Sequence, residues 1–145
     1  MSPERDPLVG TWRLVAVSAH DAEGKAIPEP NGPAPSGLLI YTAEGTIAVL
    51  ISQGGRRRLS ADRVAAPAEE RAEAFQTFFA YGGRYSVDGD RVIHHVEVSS
   101  VENWVGTELI RGLKLDGQRL TLRTPRLLVG GEARVTELVW ERCDQ

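Results

Sequence analysis

Two adjacent histidines, His94 and His95, stand in a run that alternates in character, Arg91-Val92-Ile93-His94-His95-Val96-Glu97-Val98-Ser99. Successive side chains of a strand point to opposite faces. Val92, His94, Val96 and Val98 therefore share one face, and Ile93, His95, Glu97 and Ser99 share the other. In the following run, Thr107, Leu109, Arg111, Leu113 and Leu115 form a second apolar face with one polar member, Arg111. If Glu102 and Asn103 are the turn between these strands, His94 lies opposite Arg111 and Val92 opposite Leu113, with both apolar faces inward. A guanidinium beside an imidazole disfavours its protonated form. A neutral His94 is then equipped to move a proton while Arg111 holds a carboxylate, enolate or carbonyl oxygen. The plainer reading has His94 hydrogen-bonded in a packed interior and Arg111 reaching solvent. Reversed faces would make His95 and Glu97 the inward acid/base pair.

Other side chains carry weaker versions of the same choice. Tyr85 shares the inward face of its strand with Val87, so its hydroxyl either orients a ligand or is the polar tip of a core aromatic. Tyr41 ends a short strand that is apolar on both faces. Trp104 sits at a hairpin end, where it lids a cavity or plugs it. Phe75, Phe78 and Phe79 recur at helical spacing with Ala72, and Phe79 is a candidate ligand contact. The His94, His95 and Glu97 group is no metal site, because neighbouring histidines diverge on a strand and no third ligand has recognisable spacing. Arg56-Arg57-Arg58 reads as a solvated loop, with anion binding as its functional alternative. There is no phosphate loop, no GxSxG and no CxxC.

The elements that must position these groups are strands. The chain reads as strands over Thr11–Ser18, Leu38–Tyr41, Thr46–Ser52, Arg84–Val87, Arg91–Ser100, Val105–Leu115, Gln118–Thr124 and Ala133–Arg142, mostly joined by tight turns. The proline-rich stretch before Ser36 is loop. One helix is expected from Ala68 to about Tyr81, opened by Pro67, acidic in its first turn and ended by Gly82-Gly83. It would cover one end of the domain. Eight meandering strands in so short a chain predict an all-β, antiparallel up-and-down barrel with the helix inserted between strands 3 and 4. An eight-stranded barrel has room for one small ligand. A two-sheet sandwich is the alternative, but short turns leave few places for its crossovers.

Composition agrees with this. The chain has 145 residues, 41% hydrophobic and 26% charged, with formal net charge -3 and one cysteine. That predicts a single domain, which the resemblance described below bounds at residues 8–142, without an internal disulfide or a general attraction to nucleic acid. No apolar run suits a membrane span, and the charged, proline-bearing start is no secretory signal, so a cytoplasmic protein is expected.

Gly10-Thr11-Trp12 at the first strand, with Arg142 just after Trp140 on the last, resembles the Gly-x-Trp signature and packed arginine of lipocalins and other calycin barrels. Leu8 to Leu14, Leu39-Ile40-Tyr41-Thr42, His94-His95-Val96-Glu97, Asn103 to Thr107 and Leu138 to Arg142 resemble, in order, the bacterial lipocalin-like domain family. The resemblance implies a lipocalin-like barrel in which Trp12 and Arg142 are structural. Calycin-like barrels include transport proteins and also cyclases and isomerases of natural-product pathways. Two functions are therefore expected: binding of a small, mostly apolar molecule with a carbonyl or anionic group, or cofactor-free cyclisation or isomerisation of a polyketide- or terpenoid-like substrate. The catalytic candidates are His94, Arg111 and Tyr85. The ligand-contact candidates are Tyr41, Trp104, His95, Glu97 and Phe79. Neither cofactor nor metal is expected, and a homodimer is a candidate assembly.

Overall fold

The computed structural model describes residues 6–143. Its elements are β1 (Gly10–Asp21), β2 (Ser36–Tyr41), β3 (Thr46–Ser52), α1 (Ala68–Gln76), β4 (Phe78–Asp88), β5 (Arg91–Ser99), β6 (Glu108–Asp116), β7 (Arg119–Arg123), β8 (Leu127–Val129) and β9 (Glu132–Arg142). Each strand from β1 to β7 pairs antiparallel with the next. β7 then pairs with β9, and β9 with β1, which closes the sheet into an eight-stranded barrel. Closure leaves no open edge in the circuit. β8 pairs only with the start of β9 and stands outside it. The eight expected strands are thus the barrel, and α1 lies between β3 and β4 as expected. The ninth strand comes from the stretch before Gly130-Gly131 that the sequence presents as loop.

One end of the barrel is packed solid. The Trp12 indole N–H donates to Leu8 O at 2.9 Å. The Arg142 guanidinium lies 4.2 Å over the Trp12 ring and donates to Val9 O at 2.9 Å and Pro7 O at 2.7 Å. A cation on an aromatic face that also satisfies two carbonyls ties both chain ends together. Gly10 makes this possible: its φ is +140°, and a Cβ there would sit 2.7 Å from Arg142 Nη1. Leu8, Tyr41, Ile47, Val92 and Leu120 fill the space behind Trp12.

Two expectations need correction. The helix stops at Gln76, and Phe78 to Gly83 belong to β4. Phe78 and Phe79 pair with Ser52 and Ile51 of β3, so sheet pairing overrides the helical spacing of the phenylalanines. The helix end is fixed from outside. Arg56 donates to Ala74 O at 3.1 Å and to Thr77 Oγ1 at 3.0 Å, and Arg57 pairs with Glu73 at 3.0 Å. No residue of α1 is buried, and Phe75 is exposed. Gly82-Gly83 is a bulge and not a helix stop: Gly82 faces Val98, Gly83 faces Val96, and a Cβ on Gly83 would lie 1.9 Å from His95 O.

The second correction is the β5–β6 register. His94 faces Leu109 and Arg111 faces Val92, two residues from the expected pairing. The connection is no two-residue turn. It holds a 3-10 turn over Glu102–Trp104 and a positive-φ Gly106, so Val96 meets Thr107, with Val96 N–H donating to Thr107 O at 3.0 Å. An even shift preserves which face each residue occupies, so Val92, His94 and Val96 still point inward with the apolar face of β6, whereas Val98, past the register shift at Gly82/Gly83, is exposed and not inward as expected. Among the described residues, no helix is long and apolar enough to cross a membrane.

Candidate ligand cavity

The other half of the barrel is hollow. A cavity of about 340 Å³ is walled by Leu39, Val49, Ile51, Leu122, Leu138 and Trp140, with Phe79 and Trp104 to one side. Phe78, Gln76, Pro30 and the β8 residues Leu127 and Val129 stand around it as well. Phe79 meets Trp104 edge to face at 5.4 Å, and Trp104 meets Tyr81 at 5.9 Å. Trp104 therefore borders the space.

Besides neutral amides and threonines, among them Asn31, Gln53 and Thr136, the wall carries a histidine, a tyrosine and guanidinium groups. His94 is 1% exposed and lines the cavity. Its Nδ1 lies 2.7 Å from the Tyr81 hydroxyl and its Nε2 2.7 Å from the Tyr41 hydroxyl. Burial, and secondarily the Arg111 guanidinium, pushes its pKa from 6.5 down to about 3. Burial raises Tyr81 to about 12, an effect that nearby Arg111 opposes, and raises Tyr41 well above its ordinary value. At neutral pH all three rings are thus uncharged. Both imidazole nitrogens are engaged, so a proton passing between His94 and a ligand must travel through a tyrosine hydroxyl.

Arg111 is half-buried on the wall and donates to Ile110 O at 3.1 Å. No ion pair among the described residues includes it. Arg134 and Trp140 also border the cavity, and the Arg134 Nε and Trp140 Nε1 donors are buried without a hydrogen-bond partner among the described residues. Among the described residues, the wall contains two guanidiniums and no carboxylate.

The remaining expected residues are elsewhere. Tyr85 is at the packed end: its hydroxyl donates to Asp6 Oδ2 at 2.6 Å and its ring meets Tyr41 at 4.6 Å. It does not line the cavity. Tyr41 is buried behind His94 and reaches the cavity only through that ring. His95 is on the outer wall, 3.2 Å from Glu108 and 3.1 Å from Ser86 Oγ, and Glu97 is exposed. Of the two adjacent histidines, the one carried by the apolar face is inside. Tyr81, Arg134 and Trp140 are among the wall donors that the sequence reading leaves out. Tyr81 was hidden by the helical spacing of its neighbours. The alternation Phe79, Tyr81, Gly83, Tyr85 is the signal that marks it as strand, and Arg134 shares the parity of Leu138 and Trp140.

A closed meander with a glycine-tryptophan corner under an arginine and a half-hollow interior defines a calycin-type barrel. Residues 9–143 match the lipocalin-like domain family, and the chain belongs to that family. It is 36% identical over 83 residues to a protein of Aspergillus oryzae (strain ATCC 42149 / RIB 40) named 4'-hydroxy-3'-methoxypropiophenone carrier protein ppsC, covering 51% of this chain and 75% of that one. Among solved structures, a protein titled REP1-NXSQ fatty acid transporter aligns with 96% of this chain and 98% of its own at 9% identity and TM-score 0.42. Rv2717c from M. tuberculosis aligns with 96% and 94% at 15% identity and TM-score 0.36. Both structural likenesses are too slight to bear on the site.

Proposed function

We propose that the barrel binds a small, mostly apolar molecule carrying a carbonyl or anionic oxygen, of the kind represented by single-ring aryl ketones. The observation that carries the reading is the chemical imbalance of the cavity wall. Apolar side chains dominate it, the donors Arg111, Arg134 and Trp140 border it, and no carboxylate answers them. Buried donors without partners are costly, and a ligand acceptor removes that cost. The volume is at the lower end of ligand pockets, which run from about 300 to 1,000 Å³. The relative named as the carrier of an aryl ketone supports the same ligand class. The cyclase or isomerase alternative gains nothing from the relatives, and engagement of both His94 nitrogens argues against direct proton abstraction by that ring.

Calorimetric titration of the full chain with 4'-hydroxy-3'-methoxypropiophenone, together with quenching of tryptophan fluorescence, tests the reading. Trp104 and Trp140 border the cavity and should report occupancy. One saturable site per chain is expected. If neither this ketone nor an apolar fluorescent dye binds saturably, the cavity is not a ligand site.

A further inference from the structure

The Tyr41–His94–Tyr81 chain has a direction that hydrogen-bond satisfaction decides. A neutral imidazole has one N–H and one lone pair, while each tyrosine hydroxyl brings one hydrogen. Two arrangements are open. In the first, Tyr41 donates to Nε2, and Nδ1–H donates to the Tyr81 oxygen. In the second, Tyr81 donates to Nδ1, and Nε2–H donates to the Tyr41 oxygen. The second leaves the Tyr41 hydroxyl hydrogen over. Tyr41 is 1% exposed and off the cavity, and its hydroxyl has no other hydrogen-bond partner among the described residues. Nearby Tyr85 already donates to Asp6. A buried hydroxyl left without an acceptor is disfavoured, so the first arrangement holds. It leaves over the hydroxyl hydrogen of Tyr81, which borders the cavity and faces Arg111.

We propose that Tyr81 is the specificity-determining donor of this cavity: the directed chain Tyr41 to His94 to Tyr81 frees the Tyr81 O–H to hydrogen-bond a carbonyl-type oxygen of the ligand, beside the Arg111 guanidinium. This rests on the ligand-binding reading above and narrows it. His94 is then a positioning residue that orders the tyrosine, and Tyr41 fixes the tautomer from behind. The shared chemistry is a ketone or carboxylate oxygen, since Arg111 and Tyr81 each supply a donor and the Tyr81 oxygen already accepts from His94 Nδ1–H.

Two measurements test this separately. The first needs no ligand. Nitrogen-15 NMR of histidine-labelled full chain reports which ring nitrogen carries the proton, and the three histidines are assigned by single substitutions at His20 and His95. His94 should hold its proton on Nδ1 from about pH 8 to pH 5. A proton on Nε2, or an imidazolium signal in that range, overturns the directed chain. The second compares 4'-hydroxy-3'-methoxypropiophenone, the matching aryl carboxylate, and the analogue with methylene in place of the ketone. Tyr81→Phe should weaken the ketone or the carboxylate about tenfold and leave the methylene analogue unchanged, the loss of one donor to a bound acceptor. The more weakened of the two identifies the oxygen type. Unchanged ketone and carboxylate affinity in Tyr81→Phe overturns the donor role, while unchanged binding of the methylene analogue shows that the variant is folded. If the wild type binds none of the three, the ligand class falls and the tautomer alone judges the chain's direction.

Discussion

His94 should make the fold sensitive to acid in a way that one substitution removes. In the folded chain its pKa is held at about 3 against an ordinary 6.5, first by burial and then by Arg111. Between those values the unfolded chain binds a proton that the folded chain refuses. Stability therefore rises with pH through that window, is full above 6.5, and is lost as pH falls toward 3. Each pH unit below 6.5 costs about 1.4 kcal/mol, so the loss at pH 5 is on the order of 2 kcal/mol. That is a large fraction of the stability of a small domain. Guanidinium denaturation followed by tryptophan fluorescence at about pH 7.5, 6 and 5 measures it in wild type and in His94→Gln. The variant loses hydrogen bonds to both tyrosines and starts less stable, but its slope with pH should be flatter by roughly that amount. All other ionisable groups are common to both proteins and cancel in the difference. His94→Asn provides the same comparison should the glutamine variant not fold. Equal slopes in wild type and variant would refute the reasoning, because they would mean that His94 titrates alike in the folded and unfolded chain.

Gly10→Ala should destabilise by about 1–3 kcal/mol through its positive φ and the approach to Arg142, read as a lower denaturation midpoint with an unchanged denaturant slope. Arg142→Met should cost a similar amount and shift the emission of Trp12, since it removes two carbonyl hydrogen bonds and the cation over the ring. Leu138→Trp should fill the cavity and abolish ketone binding in the titration while leaving the denaturation midpoint within about 1–2 kcal/mol of wild type; retained affinity would place the ligand elsewhere.

The sequence alone determined most of the strands, the order of the eight around the barrel, and the inward faces of β6 and of β5 as far as Val96. These are local properties: alternation fixes faces, and short polar turns between apolar runs fix neighbours. His94 and Arg111 were placed on the inner wall for that reason, and His95 and Glu97 on the outer wall once the apolar face was chosen. The Gly10, Trp12 and Arg142 corner was legible through its resemblance to the lipocalin signature. Three things only the tertiary structure decided. Phe78, Phe79 and Tyr81 had helical spacing to one side and strand alternation to the other, and pairing with β3 chose the strand. The β5–β6 register depended on an eight-residue connection, residues 100–107, whose 3-10 turn no two-residue hairpin rule describes, which moved Arg111 from His94 to Val92. The partners of His94 come from β2 and β4, 53 and 13 residues away in the chain, and spacing along one strand carries no information about which hydroxyls closure brings to a ring. Faces follow from period, but the contents of a cavity follow from closing the sheet around it.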